Sequence, residues 1–243
     1  MAAAIVIVSL HAPSEFHSAE TVTMKNLLNY LGKIEPHPEA VYRGHADYNW
    51  DVKPSIGRHY NGDWFNALKW EKESIRNFRK RSIPYLKSIS GPDIEWMCLM
   101  QHYGCATRLI DFTSNPLIAL FFASDPTVDS DGAMLVAEYS EKLEVVSDRN
   151  MFGSESSFVY YPPHITERVM GQSGCFVCAG VPNVAQRDDK ITKIKIGKKF
   201  KHGLRAELSS MGISHATLFP GLDGVCQDLN QELITHLEIQ EYI

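Results

Sequence analysis

The sequence predicts one α+β domain, with a mixed or antiparallel central sheet flanked by helices, and three observations carry that expectation. Apolar residues make up 44% of the 243 positions, enough for one sizeable packed core. Short apolar runs of strand character are interspersed with helical stripes, without the regular strand–helix alternation of a doubly wound sheet. Between Leu117 and Ala123 there is no polar residue at all, so a helix there is apolar around its whole circumference and belongs in the middle of the core.

Taken in order, Ala3–Leu10 reads as a first strand. Ser18–Gly32 reads as a helix carrying Val22, Leu27, Leu28 and Leu31, with Gly32 as its stop. Val41–His45 is a short strand. From Asp63, Phe65, Leu68, Ile75 and Phe78 fall on one stripe at helical period while Lys69, Lys72, Arg76, Lys80 and Arg81 supply polar faces, which makes an amphipathic helix. Pro92–Tyr103 is a second, largely buried helix. Thr107–Phe112 is extended, and Ser114 or Asn115 then caps the apolar helix, whose first turn holds Pro116. Later strands are expected at Ala133–Tyr139, Cys175–Ala179 and Thr192–Ile196. Two helices near Lys201–Met211 and Asp223–Glu238 close the chain, the last with Val225, Leu229, Leu233 and Leu237 on one face. The loops at Asp125–Gly132 and Val181–Lys190 are short enough to be connections within one domain.

Composition removes several classes of function. With 24 basic and 29 acidic side chains the net charge is −5, so polyanion binding would need a local patch. The longest apolar runs fall well short of the roughly 18 to 20 residues of a membrane span, and Met1 is followed by no basic segment or small-residue cleavage site. No membrane span and a cytoplasmic location are therefore expected. The five cysteines are an odd set scattered through apolar segments and suit reduced core thiols. Cys175 and Cys178 have zinc-like spacing but no second ligand pair, and they sit in a strand interior rather than at a helix start, so neither metal nor redox chemistry is expected.

Two stretches hold more functional side chains than a core needs. The first runs from Val41 through Arg43, Gly44, His45 and Asp47 to Trp50, and on to Arg58. An arginine in a strand, followed by glycine, offers a rigid guanidinium beside backbone that a phosphate or diphosphate can approach; the structural alternative pairs Arg43 with Asp47 or Asp111. The second runs from Gln101 to Ser114, where His102, Tyr103, Thr107, Arg108, Asp111 and Thr113 crowd the mouth of the apolar helix. Each buried polar group without a partner costs about 1 to 3 kcal/mol, so these residues either form a network or bind a ligand. Arg108 with Asp111 would make a buried ion pair, and His102 with Asp111 a base and its orienter. The Thr113-Ser114-Asn115-Pro116 segment offers hydroxyls and helix N-terminal amides to an anion. Both stretches need a shared partner to balance their desolvation, and they are expected to converge on one cleft.

These residues resemble the FRG domain family, through Tyr42-Arg43-Gly44 with Trp50, Pro54 and Arg58, then Gln101-His102-Tyr103-Gly104, Thr107-Arg108-Leu109-Ile110-Asp111-Phe112-Thr113, and Ala119-Leu120-Phe121-Phe122-Ala123. Arg168 with Gln172, Gly174 and Phe176, and the stretch Leu218-Phe219-Pro220-Gly221-Leu222-Asp223-Gly224, also look like family positions. The resemblance thus spans about residues 41–229 of a single domain covering 1–243, with the first strand and helix within 1–40. It implies an accessory, toxin-like or antiviral defence role.

A weaker resemblance is to arginine-type mono-ADP-ribosyltransferases, in which a Tyr-Arg-Gly-like strand, a Ser/Thr segment before an apolar helix, and a late strand with a catalytic glutamate surround NAD. It implies that Arg43 holds the dinucleotide phosphates and that Thr113 and Ser114 stiffen the nicotinamide pocket; together with the polar stretches read above, Gly44, Tyr103, Thr107 and Arg108 are expected to join the cofactor site, and His102, Asp111 and Gln172 to do the chemistry. Gln172 stands where the glutamate would be, leaving Glu167, Glu207 or Asp111 to supply charge. The expected function is a nucleotide-dependent transferase using NAD and no metal, acting on a protein or nucleic-acid acceptor, with a regulatory partner conceivable. The alternatives are a non-catalytic nucleotide or nucleic-acid binding module, and a hydrolase using His102 and Asp111.

Overall fold

The structure is a computed structural model that describes residues 5–8, 40–60, 64–86, 91–138, 151–152, 156–163, 167–186 and 191–240. Among these residues seven strands make one sheet: β1 (Ile5–Val8), β2 (Ala40–His45), β3 (Leu109–Thr113), β4 (Gly132–Glu138), β5 (Phe158–Tyr160), β6 (Gly174–Cys178) and β7 (Ile191–Ile196). Their order is β1-β7-β4-β2-β3-β6-β5, and every pairing is antiparallel. The helices are α1 (Ser55–His59), α2 (Trp64–Ser82), α3 (Asp93–His102), α4 (Pro116–Ala123), α5 (Glu167–Gly171), α6 (Lys201–Ser210), α7 (His215–Leu218) and α8 (Leu222–Gln240). The helix expected over Ser18–Gly32 lies outside the described residues.

The alternation of side chains along each strand decides which helices cover which part of the sheet. Met134, Val136, Ile194 and Ile196 turn to one face of β4 and β7 and pack with Ile118, Leu120 and Phe121 of α4 and Leu204 and Leu208 of α6. On the other half of the same face, Leu109, Phe176 and Cys178 meet Ile75 of α2 and Met97 and Met100 of α3. Val41, Ile110, Phe112, Leu135 and Val177 fill a third cluster. Burying Leu120 and Phe121 of α4 contributes about 1.5 to 3 kcal/mol each, which is why an eight-residue helix is held firmly at the centre. Asn115 is its cap: the Oδ1 atom accepts from Leu117 N at 2.9 Å, and Pro116 follows in the first turn.

Gly44 is explained by this packing. A Cβ there would lie 2.0 Å from Ala119 O and 2.5 Å from Ala123 N, so its bare backbone lets α4 settle onto β2. Two expected apolar faces are placed otherwise. Phe65 of α2 is exposed and stacks on Trp64, and Val225, Leu229 and Leu233 of α8 stay on the surface, because α8 meets the rest of the molecule through α7. Cys175 and Cys178 are buried in β6, where burial pushes both thiols up to about 12. No described helix is long and apolar enough to cross a membrane.

Candidate functional site

The sheet is split near its middle. β2 pairs with β4 over its whole length, from Ala40 opposite Glu138 to His45 opposite Ala133, whereas β2 meets β3 only at Tyr42 opposite Thr113. Beyond that pair the strands diverge, where Arg43 and Gly44 would otherwise oppose Phe112 and Asp111. The seam lies between the helices over the β4 half and those over the β6 half, and α5 adjoins it. Two cavities of about 150 and about 100 Å³ open there and share Asp111, Phe112, Arg168 and Gln172.

Arg43 is fixed from two directions. Its Nε donates to His45 Nε2 at 2.9 Å, and its Nη1 donates to the Asp111 carbonyl and lies 3.9 Å from Asp111 Oδ2. Because arginine can only donate, His45 Nε2 is the acceptor and the imidazole is neutral at that nitrogen. Burial, then the nearby Arg43 charge, pulls His45 down to about 3, so it orients the guanidinium without competing with it. Burial also lowers Arg43 while Asp111 opposes that shift. The Arg43 side chain keeps 18% exposure, enough to be reached from the seam. Period-two spacing on β2 places Arg43 and His45 on one face, and this is the signal that would have found His45.

Asp111 is the one carboxylate lining either cavity among the described residues. It is 68% exposed, and Gln101 Nε2 donates to its Oδ1 at 2.8 Å. The opposite end of the Gln101 amide accepts from Thr107 Oγ1, so a residue given no role by the sequence aims the carboxylate. His102 lines the smaller cavity with Asp111, but among the described contacts no hydrogen bond joins them. Burial first, and Arg168 second, lower the His102 pKa.

Arg108 lies elsewhere. It is wholly buried under the sheet, with its Nε 2.6 Å from Glu71 Oε2 and its backbone N 2.9 Å from Glu71 Oε1, and its Nη1 donates to the carbonyls of Met151 and Ala179. The expected Arg108–Asp111 pair is therefore replaced by Arg108–Glu71, and Arg108 does not line the seam. Thr107 is likewise buried and bonds Ser55, Gln101 and Leu109 N. Tyr103 is exposed against His102 and lines neither cavity.

Thr113 lines the larger cavity, but its hydroxyl donates to Gln172 O at 2.7 Å and accepts from Asn115 N at 3.0 Å. Ser114 donates through both its backbone N and its Oγ to Ser173 O, at 3.1 and 3.4 Å. With Leu117 N held by Asn115, these groups cap α4 and fasten the turn into β6. Ser173 has φ 44, an uncommon conformation for a residue with a side chain, and the converging donors hold it there. The turn presents Gln172 to both cavities while Gln172 Nε2 donates to Leu218 O at 3.1 Å. Arg168, on α5, reaches both cavities and packs 4.9 Å over the Phe219 ring. A five-residue helix carries no periodic signal, and only the family resemblance marked this arginine.

The seam thus collects two guanidiniums, one carboxylate, the side-chain amides of Gln101 and Gln172, the His102 imidazole and a capped hydroxyl segment. Among the described residues there is no cluster of His, Cys, Asp or Glu that could hold a metal. No curated protein and no solved structure gives a match to the chain. Residues 38–132 match the FRG domain model; they run from just before β2 to the first residue of β4 and so supply Arg43, Gln101, His102, Asp111 and Thr113, whereas Arg168 and Gln172 lie beyond them. The chain carries an FRG domain.

Proposed function

We propose that the seam is a nucleotide site and that the protein is an NAD-dependent ADP-ribosyltransferase-like enzyme acting on a protein or nucleic-acid acceptor, in a toxin or defence role. The observation that carries this reading is the convergence of Arg43, already aimed by His45, with Arg168 and Asp111 where β2 and β3 part. Two forked cations suit a diphosphate, and cavities of about 150 and about 100 Å³ suit a phosphoribosyl portion whose remainder extends along the open seam.

NAD supplies a glycosidic C1′–N bond that breaks with its electron pair leaving on nicotinamide, while an acceptor nucleophile bonds C1′ and gives up its proton. This chain's residues do the positioning. Arg43 and Arg168 hold the phosphates, and Gln172 orients a ribose hydroxyl. The Asp111 carboxylate, steadied by Gln101, stabilises positive charge developing on the ribose. Phe112 and Phe122 keep water from one wall.

Incubation of the pure protein with NAD, followed for free nicotinamide and for labelled macromolecule, tests the reading. Release that falls at least about tenfold in Asp111→Asn with little change in affinity for NAD supports it, since an interaction strengthened in the transition state is read in kcat. A thermal shift with ADP-ribose but no release of nicotinamide would favour a binding module, the reading suggested by the outward exposure of Asp111. NAD-independent hydrolysis abolished by His102→Ala would favour a hydrolase.

A further inference from the structure

The face of α2 that the fold leaves uncovered carries charge of almost one sign. Lys69, Lys72, Arg76, Lys80 and Arg81 are exposed on it against Glu73 alone, in a chain whose net charge is −5. The other charged groups of the helix are already committed: Glu71 holds Arg108, and Arg79 Nη2 lies 2.7 Å from Asp93 Oδ1. Lys72 Nζ lies 4.7 Å from the Phe152 ring centroid. None of the exposed cations is paired with an acid among the described residues.

Helical spacing turns these cations into a ridge. Phe65, Lys69, Lys72, Arg76 and Lys80 fall within about 80° of the helix circumference, and the rise from Lys69 to Lys80 is about 17 Å. Cations spaced i,i+3 and i,i+4 repel one another and disfavour the helix that carries them. The helix dipole favours cations in the last turn, which accounts for Lys80 and Arg81 but not for Lys69, Lys72 and Arg76. A polyanion laid along the ridge relieves that repulsion.

Exposed aromatic rings accompany the charge. Phe65 and Trp64, with ring centroids 4.3 Å apart, precede the ridge, and Tyr85 follows it in the 3₁₀ turn Ile83–Tyr85. The apolar stripe of α2, with Leu68 and Ile75, is packed into the core, so the outer face offers a bilayer no continuous apolar surface. Phe65 and Trp70, its exposed large apolar residues, lie about 140° apart around the helix.

We infer that the exposed face of α2 docks a single-stranded nucleic acid, away from the seam, to whose cavities α2 contributes no lining residue. The phosphates follow Lys69, Lys72, Arg76 and Lys80, and a base stacks on Phe65. An acidic peptide would answer the charge but leave the rings without a flat partner. The inference holds whatever the seam binds.

The full chain is titrated by fluorescence anisotropy with a labelled oligothymidylate of about 12 nucleotides over a range of salt, with thermal unfolding recorded for each variant. Wild type should bind saturably, and one phosphate per ridge cation gives a slope of log affinity against log salt of about −3. Lys69→Gln with Arg76→Gln should weaken binding at least about tenfold at low salt and bring the slope to about −1.4. Should that pair not fold, Lys69→Gln alone should still reduce the slope by about 0.7. Phe65→Ala should weaken binding about fivefold or more with the slope unchanged, because stacking releases no counterion. Arg43→Lys should bind like wild type. No saturable binding to wild type, an unchanged slope in the ridge variants, or unchanged affinity in Phe65→Ala would each overturn the inference. So would polyglutamate or phosphatidylserine vesicles that displace the label as effectively as unlabelled oligomer, which would assign the face to an acidic protein or a membrane. Loss of binding in Arg43→Lys would overturn it by assigning the oligomer to the seam.

Discussion

Arg43 lies within β2 and Arg108 immediately before β3, both in motif-rich stretches, and the structure gives them opposite tasks. Arg108 has no exposure, its Nε is bonded to Glu71 and its Nη1 to two carbonyls while Nη2 is buried without a partner, whereas Arg43 keeps 18% exposure and is oriented by a neutral histidine and a backbone carbonyl. The difference teaches what to look for in a binding arginine: a partner that aims the fork without neutralising it. Arg108 holds the scaffold behind β3, and Arg43 faces the gap in front of it.

The largest effect should come from the scaffold arginine. Glu71→Ala strands Arg108 and should cost about 3 to 5 kcal/mol in urea denaturation, with much of the loss recovered by an apolar Glu71→Leu, Arg108→Met pair. A cost under about 1 kcal/mol for Glu71→Ala would erase the distinction between the two arginines. Next comes Gly44→Ala, whose added Cβ would press on Ala119 O and Ala123 N of α4. About 1 to 3 kcal/mol of destabilisation is expected from the forced shift, together with weaker ligand binding, because Ile118 and Phe122 of the same helix line the seam. Equal stability of Gly44→Ala and wild type would mean that Gly44 does not set how closely α4 sits on β2.

A smaller effect separates the two sites by pH. His45 is held at about 3 in the folded chain, against an ordinary 6.5, so below 6.5 the unfolded state takes up more protons than the native one. Its contribution is therefore fully present above pH 6.5 and is lost as pH falls toward 3, at up to about 1.4 kcal/mol per pH unit. Denaturation of wild type and His45→Gln between pH 4 and 7 should show the slope difference, with the glutamine variant less acid-sensitive. Parallel curves would mean that His45 is not neutral beside Arg43. The smallest effect belongs to Asp111→Ala, where the exposed carboxylate should cost only about 0.5 kcal/mol, since Arg108 does not depend on it. A loss of several kcal/mol would restore the Arg108–Asp111 pair that the sequence suggested.

Much of this arrangement was readable in the sequence, for physical reasons that also explain what was not. α4 announced itself through an unbroken apolar run with Asn115 and Pro116 at its start, and β2, β4, β6 and β7 through short apolar or alternating stretches. β5 has only three residues and gives no period. Arg43, Asp111 and Thr113 do meet at one seam, as the crowding of polar groups around a buried helix implied, and Gln172, marked only by the resemblance, joins them. Glu71 was hidden because a glutamate between Lys69 and Lys72 reads as a solvated helix face, and its partner lies 37 residues away. The capping task of Thr113 and Ser114 depends on the Ser173 carbonyl, some 60 residues later, which no local spacing reveals.

The central claim is that Arg43 grips the diphosphate of a nucleotide at the seam. The measurement that tests it most directly is the affinity of the full chain for ADP-ribose by isothermal titration calorimetry, in wild type and in Arg43→Lys, with thermal unfolding recorded for both. The account predicts saturable binding to wild type, weakened at least about tenfold in Arg43→Lys while the unfolding midpoint stays put, because lysine keeps the charge and loses the bidentate fork. Equal affinity in the two proteins, or no binding of ADP-ribose to wild type, would contradict it.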